Sequence, residues 1–236
     1  MTYMSPKWLV VEFLRSRLTD PRSRAESSTS DTFTATSGQK EFTLTPTSGK
    51  KVSCVTSVTD AGVTQSKNED YYVDLKNNKV IFFDGRTSGN TIVVNYKEGA
   101  SNWIYPDKPR LDISRTSFPR MSVTVVSNNN IRLGNYSAPL KHIIRFQVNI
   151  WVKEPTEDEV WTIDGSKYSG HDLAEYLAYE VIKALENYES DLHPALWGYD
   201  GRVGPQDMPF DYDLQLHQKV LEFTLMGIDV GQVNWK

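Results

Sequence analysis

The 236-residue chain has a single cysteine, Cys54, so no internal disulfide and no thiolate metal cage can form. Its four histidines, His142, His171, His193 and His217, share no metal-ligand spacing, which argues against a zinc site. No stretch approaches the roughly 18 consecutive apolar residues that a membrane-spanning helix needs. The opening MTYMSPKWLVVEFLRSRL is apolar but interrupted by Glu12 and the arginines. It also lacks a basic leader and a small-residue cleavage site. A soluble protein made in a cytoplasm is expected. Basic excess is missing too: 26 Lys and Arg stand against 30 Asp and Glu, for a net charge of −4. That balance excludes a general nucleic-acid binder.

Catalytic signatures are equally scarce. There is no G-x-S-x-G, and Gly198, Gly201 and Gly204 lack the Lys-Ser/Thr that would make a phosphate cradle. Asp200, Asp207, Asp211 and Asp213 do not follow the spacing of a compact calcium loop and read as a solvated loop. His171 and Asp172 are neighbours on a helix, where adjacent side chains point apart. Arg15, Arg17, Arg22 and Arg24 form the one basic cluster. Without interleaved aromatics it reads as a solvated helix end or a set of inter-subunit ion pairs. The acidic run EPTEDEV at 154–160 reads as an exposed loop. Cys54 alternates within KVSCVTSV as a small buried hydrophobe. No enzyme, cofactor or metal is expected.

What the chain does have is β-type texture framed by two helices. Residues 5–19 predict a helix with Ser5 as N-cap, Pro6 in the first turn and an apolar face of Trp8, Val11, Phe13, Leu14 and Leu18. Asp20-Pro21 ends it, and RSRAESSTSDTFTATSGQ follows as a linker or long exposed loop. From Asp31 to Tyr96, short β runs are separated by turn signals at 47–49, 68–70, 77–78 and 87–90. That spacing predicts a small all-β unit of immunoglobulin-like type, inserted at 31–98 between 1–30 and 99–236.

Beyond it, RMSVTVVS predicts a strand, a polar turn follows at Asn128–Asn130, and IIRFQVNIWVKE predicts the longest strand. A short strand is expected near Val160–Ile163. Ser169 caps the clearest helix, with Asp172 in its first turn. Leu173, Ala174, Leu177, Ala178, Val181, Ile182 and Leu185 make its stripe, and His193-Pro194 closes it. A last long strand carries Leu221, Phe223 and Leu225 on one side, with a slip near Gln218 that suggests a bulge. The outer parts therefore predict an α+β domain: an antiparallel sheet with two helices on one face.

The long strand poses the functional question. Ile144, Phe146, Val148, Ile150 and Val152 alternate toward the helices. Its second face carries Arg145, Gln147, Asn149, Trp151 and Lys153, with nothing in the same domain predicted to cover it. Trp, Arg and amides are the makeup of a protein interface, so these five are the candidate subunit-contact residues. The bland alternative is an ordinary wet sheet face.

On PRMSVTVVS, IIRFQVNIWVKE, SGHDLAEYLAYEVIKALENY and HQKVLEFTLMGIDV, the outer domain resembles the tail terminator (tail completion) proteins of long-tailed phages and archaeal tailed viruses. The resemblance covers roughly residues 1–20 and 105–236. It implies a hexameric ring in the virion that caps the tail tube, stops its growth and docks to the head-tail connector proteins. It further implies that DNA passes through without specific binding, and that the homo-oligomer contacts the tail tube protein and no membrane. Most such proteins lack the inserted β module. Two rival readings are another tail or connector component, such as a tube subunit, and a carbohydrate- or surface-binding module built on Tyr71, Tyr72 and Tyr96.

Overall fold

The computed structural model describes residues 2–3, 5–22, 24, 27–99, 102–114, 117–132, 140–154, 161–163, 165–187, 196–228 and 233–234. In chain order, β1 (Thr2–Tyr3) precedes α1 (Pro6–Arg17). Then come β2 (Ser27–Thr34), β3 (Gln39–Thr43), β4 (Lys51–Asp60), β5 (Val63–Thr64), β6 (Tyr71–Asp74), β7 (Lys79–Arg86) and β8 (Thr91–Gly99). The rest comprises β9 (Ile104–Tyr105), β10 (Arg120–Arg132), β11 (Leu140–Lys153), β12 (Trp161–Ile163), β13 (Ser166–Tyr168), α2 (Gly170–Asn187), β14 (Leu196–Asp207), β15 (Leu216–Ile228) and β16 (Val233–Asn234). The class is α+β, with mostly antiparallel sheets and two helices.

The β-rich stretch forms two antiparallel sheets, ordered β2-β8-β4-β5 and β3-β7-β6. Their inward residues, among them Phe42, Val55, Val58, Val73, Val80, Phe82, Ile92 and Val94, make one apolar cluster. Tyr71 and Tyr96 belong to that cluster and Tyr72 to its neighbour, so none offers the exposed stacking face of a sugar site. Strand β2 begins at Ser27, inside what the Ser/Thr-rich composition presents as a linker. It pairs with β8 from Ser27↔Glu98 to Thr34↔Thr91, because an edge strand tolerates polar side chains on its wet face. Gly85 is required by a close approach. A Cβ there would meet the Gly38 backbone at 2.8 Å, beside the β3–β7 register shift between Gln39 and Glu41.

The second unit is a five-stranded sheet ordered β14-β15-β11-β10-β9. Both helices pack on one face of it, in a cluster with Met121, Val123, Ile144, Phe146, Val148, Ile150, Leu221, Phe223 and Leu225. Phe146 and Phe223 are cross-strand partners and stack with centroids 5.4 Å apart. Every member of the predicted α2 stripe is buried, and Leu173 N donates to Ser169 O at 3.3 Å at the helix start. His193-Pro194 lies outside the described residues.

Three local expectations are corrected. Asn128–Asn130 are not a turn: they continue β10, opposite Ile144, Ile143 and His142. His142 Nδ1 lies 3.2 Å from Asn128 Oδ1, so the buried imidazole has a partner in that strand. The Gly/Pro/Asp-rich stretch after residue 195 is not all loop, since β14 pairs with β15 through three register shifts. Bulges on an edge strand absorb the glycines and Pro205. The slip at Gln218 is not a bulge, because β11–β15 pairing runs unbroken from Lys141↔Ile228 to Lys153↔Leu216. The pattern breaks there because Lys219, opposite Ile150, is drawn inward by Asp207 at 2.8 Å and Glu175 at 3.5 Å.

Helix α1 joins the two units. Ser5 has extended backbone at the N-cap but makes no side-chain cap, and Leu18 N closes the last turn on Leu14 O at 2.8 Å. Leu9, Val10, Val11, Glu12, Phe13 and Leu14 are all buried. The cluster holding α1 also includes Tyr72 and Ile81 from the β-rich stretch, while Trp8 packs against both clusters. Glu12 pairs with Lys67 across that junction. We therefore expect deletion of residues 27–99 to strip one side of α1 and leave the remainder molten. Near-ultraviolet circular dichroism of the joined remainder checks this, and a cooperative native-like melt would refute it.

A second prediction concerns Glu98, buried at the end of β8. It accepts from Thr47 N at 2.8 Å, Thr47 Oγ1 at 2.7 Å and Lys50 Nζ at 3.1 Å. The Thr47 hydroxyl bond foremost, helped by Thr47 N and Lys50, holds its carboxyl below the usual glutamate value. A depressed pKa supplies stability that is present above the unfolded value of about 4.3 and is lost as pH falls through the folded value. Thermal melts from pH 6 downward should therefore fall less steeply in Glu98→Gln than in the native chain.

Candidate functional site

Cross-strand register assembles the second face of the large sheet in rows. Trp151 stands between Arg120 and Gln218, Asn149 between Ser122 and Val220, Gln147 between Thr124 and Glu222, and Arg145 between Ser127 and Thr224. The five candidate residues do lie on this side, since they alternate with the core residues of β11. They do not share one environment.

At one end the face is covered by the chain itself. Trp151 is only 3% exposed and packs with Phe118 and Leu216, flanked by Leu111, Ile113 and Leu214. The expectation of a bare face thus needs correction at Trp151, which is a core residue of a small satellite cluster. Lys153 Nζ donates to Leu214 O at 2.6 Å and lies 5.4 Å from the Phe118 ring centre. Asn149 is also buried, and its Oδ1 accepts from Gln218 Nε2 at 3.1 Å. Ser122, in the same row, is fully buried with its Oγ unpartnered among the described residues.

The other end is open. Arg145 pairs with Glu222 while its side chain remains 49% exposed. Gln147 is half-buried, with Thr124 Oγ1 donating to its carbonyl at 3.4 Å. Beside them runs an unpaired strand edge. β9 pairs with β10 only at Met121 and Ser122, and beyond Ser122 no described strand flanks that edge. Val126 and Ile131 on it are 50% and 48% exposed. Long open edges carrying apolar side chains are templates for another chain.

Three arginines of the basic cluster, Arg15, Arg22 and Arg24, bond within the chain, whereas Arg17 is exposed. Arg24 pairs with Asp20 at 2.8 Å and donates to Ser117 O and, at 2.7 Å, to Pro119 O. Arg22 donates to Phe118 O and lies over Trp161, centre distance 5.0 Å. Arg15 donates through Nε to Ile104 O at 3.0 Å. Burial pulls its guanidinium down to about 10, which still leaves it charged at neutral pH. These bonds tie the connector between β8 and β10 across the end of the sheet, and that connector supplies Phe118, Leu111 and Ile113. The apolar spacing Leu111-Asp112-Ile113 within a Pro-rich connector was the sequence signal for such a cover.

Two histidines and two carboxylates meet at the start of α2. His171 Nε2 lies 3.0 Å from Asp207 Oδ1, and His217 contacts Glu154, with the two rings 5.8 Å apart. The hydrogen bond from Lys219 is the main reason that Asp207 ionises below the usual aspartate range. Asp211 caps its own turn by accepting from Leu214 N at 2.9 Å. No group of three metal-binding side chains occurs among the described residues. Cys54 is buried, and desolvation pushes its thiol up to about 11. Residues 155–160 of the acidic run lie outside the described set.

Compared with known proteins, the chain matches no family model and no curated protein.

Trp151→Ala should destabilise the isolated chain by about 3–5 kcal/mol, as truncation of a buried aromatic does. Urea unfolding at low protein concentration checks it. A change below about 1 kcal/mol would mean that the ring sits outside the packed cluster.

Proposed function

We propose that this chain is a virion structural protein that forms a closed ring at the head-proximal end of a viral tail, terminating tube growth and joining tube to head. The observation that carries the reading is the unequal shielding of the large sheet. Two helices bury one face, whereas Arg145, Gln147 and the β10 edge beyond Ser122 stay open. Where the β10 edge of one copy pairs with a different strand edge of the next, the contact is head-to-tail, and such contacts close into rings when the rotation per copy permits. Strand pairing along the edge would supply affinity, with the diagonal Arg145–Glu222 pair setting register.

The resemblance of the two long strands, α2 and the closing strand to tail terminator proteins gives the assembly its place in the virion. The stretch 27–99, with its paired antiparallel sheets, is read as an immunoglobulin-like insert exposed on the particle. A net charge of −4 suits a conduit for DNA, because every phosphate gripped by a cation would slow passage.

Multi-angle light scattering across a range of concentrations should give a constant mass near six times 26.9 kDa. Ile131→Asp, placing a charge on the exposed edge, should shift the mass to that of one chain without lowering the melting temperature. A native chain that stays monomeric at all concentrations would sink the ring. An open filament in negative-stain images would favour a tube subunit instead.

A further inference from the structure

The hairpin joining β14 to β15 ends in a turn that presents an aromatic side chain to water. Tyr212 is 83% exposed, the highest of any large apolar side chain among the described residues, and Met208 nearby is 43% exposed. The backbone beneath Tyr212 is tied down. Asp211 and Leu216 exchange both main-chain hydrogen bonds at 3.1 Å, and Gln215 O accepts from Glu154 N at 2.8 Å. Asp211 Oδ1 accepts from Leu214 N, and Leu214 packs inward on the Trp151 cluster. Phe210 meets the Tyr212 side chain edge-on, with centroids 5.0 Å apart. Docking an aromatic held on so ordered a turn costs little further entropy, and tyrosine is enriched among the residues that dominate interfaces.

A pocket of about 160 Å³ lies elsewhere on the chain, between Leu18 and Thr19 after α1, Ile163 of β12, and Tyr176 and Leu177 of α2. It is smaller than the roughly 300 Å³ at which small-molecule clefts begin, so it suits a single large side chain. Leu18 and Leu177 are buried and give it apolar walls. Arg17 and Glu180 also line it: Arg17 is exposed, and Glu180 pairs with Lys183 at 3.4 Å. A carboxylate has lone pairs left for a second donor, and a guanidinium has five donors to share among acceptors. Apolar walls with a carboxylate and a guanidinium among them match a phenol followed by an exposed aspartate, which is the pair Tyr212-Asp213.

We infer that Tyr212 of one copy inserts into this pocket of the next copy. The aromatic side chain packs against Leu18, Ile163 and Tyr176, its hydroxyl donates to Glu180, and Asp213 meets Arg17. In its own chain the pinned turn leaves Tyr212 in water, so a second copy supplies the occupant. Anchor and pocket are different patches, which makes the contact head-to-tail. The inference rests on the reading of the chain as a self-assembling ring, and it names an anchor for the contact between copies.

The test is light scattering of the full chain over a concentration series, with one variant on each side of the contact. Tyr212→Ala removes the anchor, and Thr19→Trp crowds the mouth of the pocket. Both positions are exposed, so the melt of the unassembled chain should stay unchanged. Each variant should need about tenfold or more higher concentration to assemble. An equal mixture should form two-chain species at concentrations where neither variant does alone, because one chain keeps the tyrosine and the other the open pocket. A mixture that assembles no more readily than its components overturns the contact, as does assembly of Tyr212→Ala at the native concentration. Those results leave the closed assembly standing, whereas a native chain that is monomeric throughout overturns both.

Discussion

Helix α1 carries Leu9, Val10, Val11, Phe13 and Leu14 almost without interruption, and a single sheet can bury only one side of such a helix. The sequence therefore demands two partners for it. The five-stranded sheet takes one side, and Tyr72, Ile81 and the neighbouring β strands take the other. That demand explains why Glu12, a charge in the middle of an apolar run, is buried and matched by Lys67 from the β-rich unit. A buried pair of this kind adds little net stability, but losing either member leaves an uncompensated charge. Relative placement of the units is thereby set by packing, with the Glu12–Lys67 pair across the junction.

The arginines follow from the same arrangement. Once α1 is enclosed, its C-terminal end and the following turn abut the connector between β8 and β10, where the carbonyls of Ile104, in β9, and of Phe118 and Pro119, outside any strand, accept from side chains. Arg15, Arg22 and Arg24 satisfy those carbonyls, and Asp20 orients Arg24 by pairing with it. Guanidinium suits the task because its fixed fork of donors can serve several oxygens at once. With the connector pinned, Leu111, Ile113 and Phe118 close over Trp151, and half of the second sheet face ceases to be surface.

Local periodicity made some of this readable and left the rest hidden. The period-two alternation of Ile144–Val152 and the stripe from Leu173 to Leu185 each bury one face of a regular element, so spacing alone predicts them. Strand β14 was opaque because its glycines and Pro205 are turn residues by composition, and only pairing with β15 makes it a strand. Ser27–Thr34 was opaque for a related reason, since an edge strand need not be hydrophobic. The fate of the arginines could not be read at all. Sequence displays their donors, but a backbone carbonyl acceptor leaves no signature in residue type. Of the five candidate contact residues, Arg145 and Gln147 remain outward while Trp151, Asn149 and Lys153 are engaged within the chain, a split decided by the connector over Trp151 and by Gln218 and Leu214 beside Asn149 and Lys153.

What stays open is as informative as what is covered. Evolution has other ways to blunt an edge, such as lysines, proline or a covering loop, and β10 beyond Ser122 shows instead Val126 and Ile131 exposed. In the proposed ring, a neighbouring copy would cover these side chains. The register shift between Val125 and Ser127 bends that edge, which restricts the alignments in which another strand can pair with it. Arg145 sits one strand inward from that kink and its partner Glu222 two, so in the proposed ring this pair would disfavour a neighbour docked in the wrong register. In the proposed ring, affinity would lie in the backbone edge and discrimination in the adjoining charges.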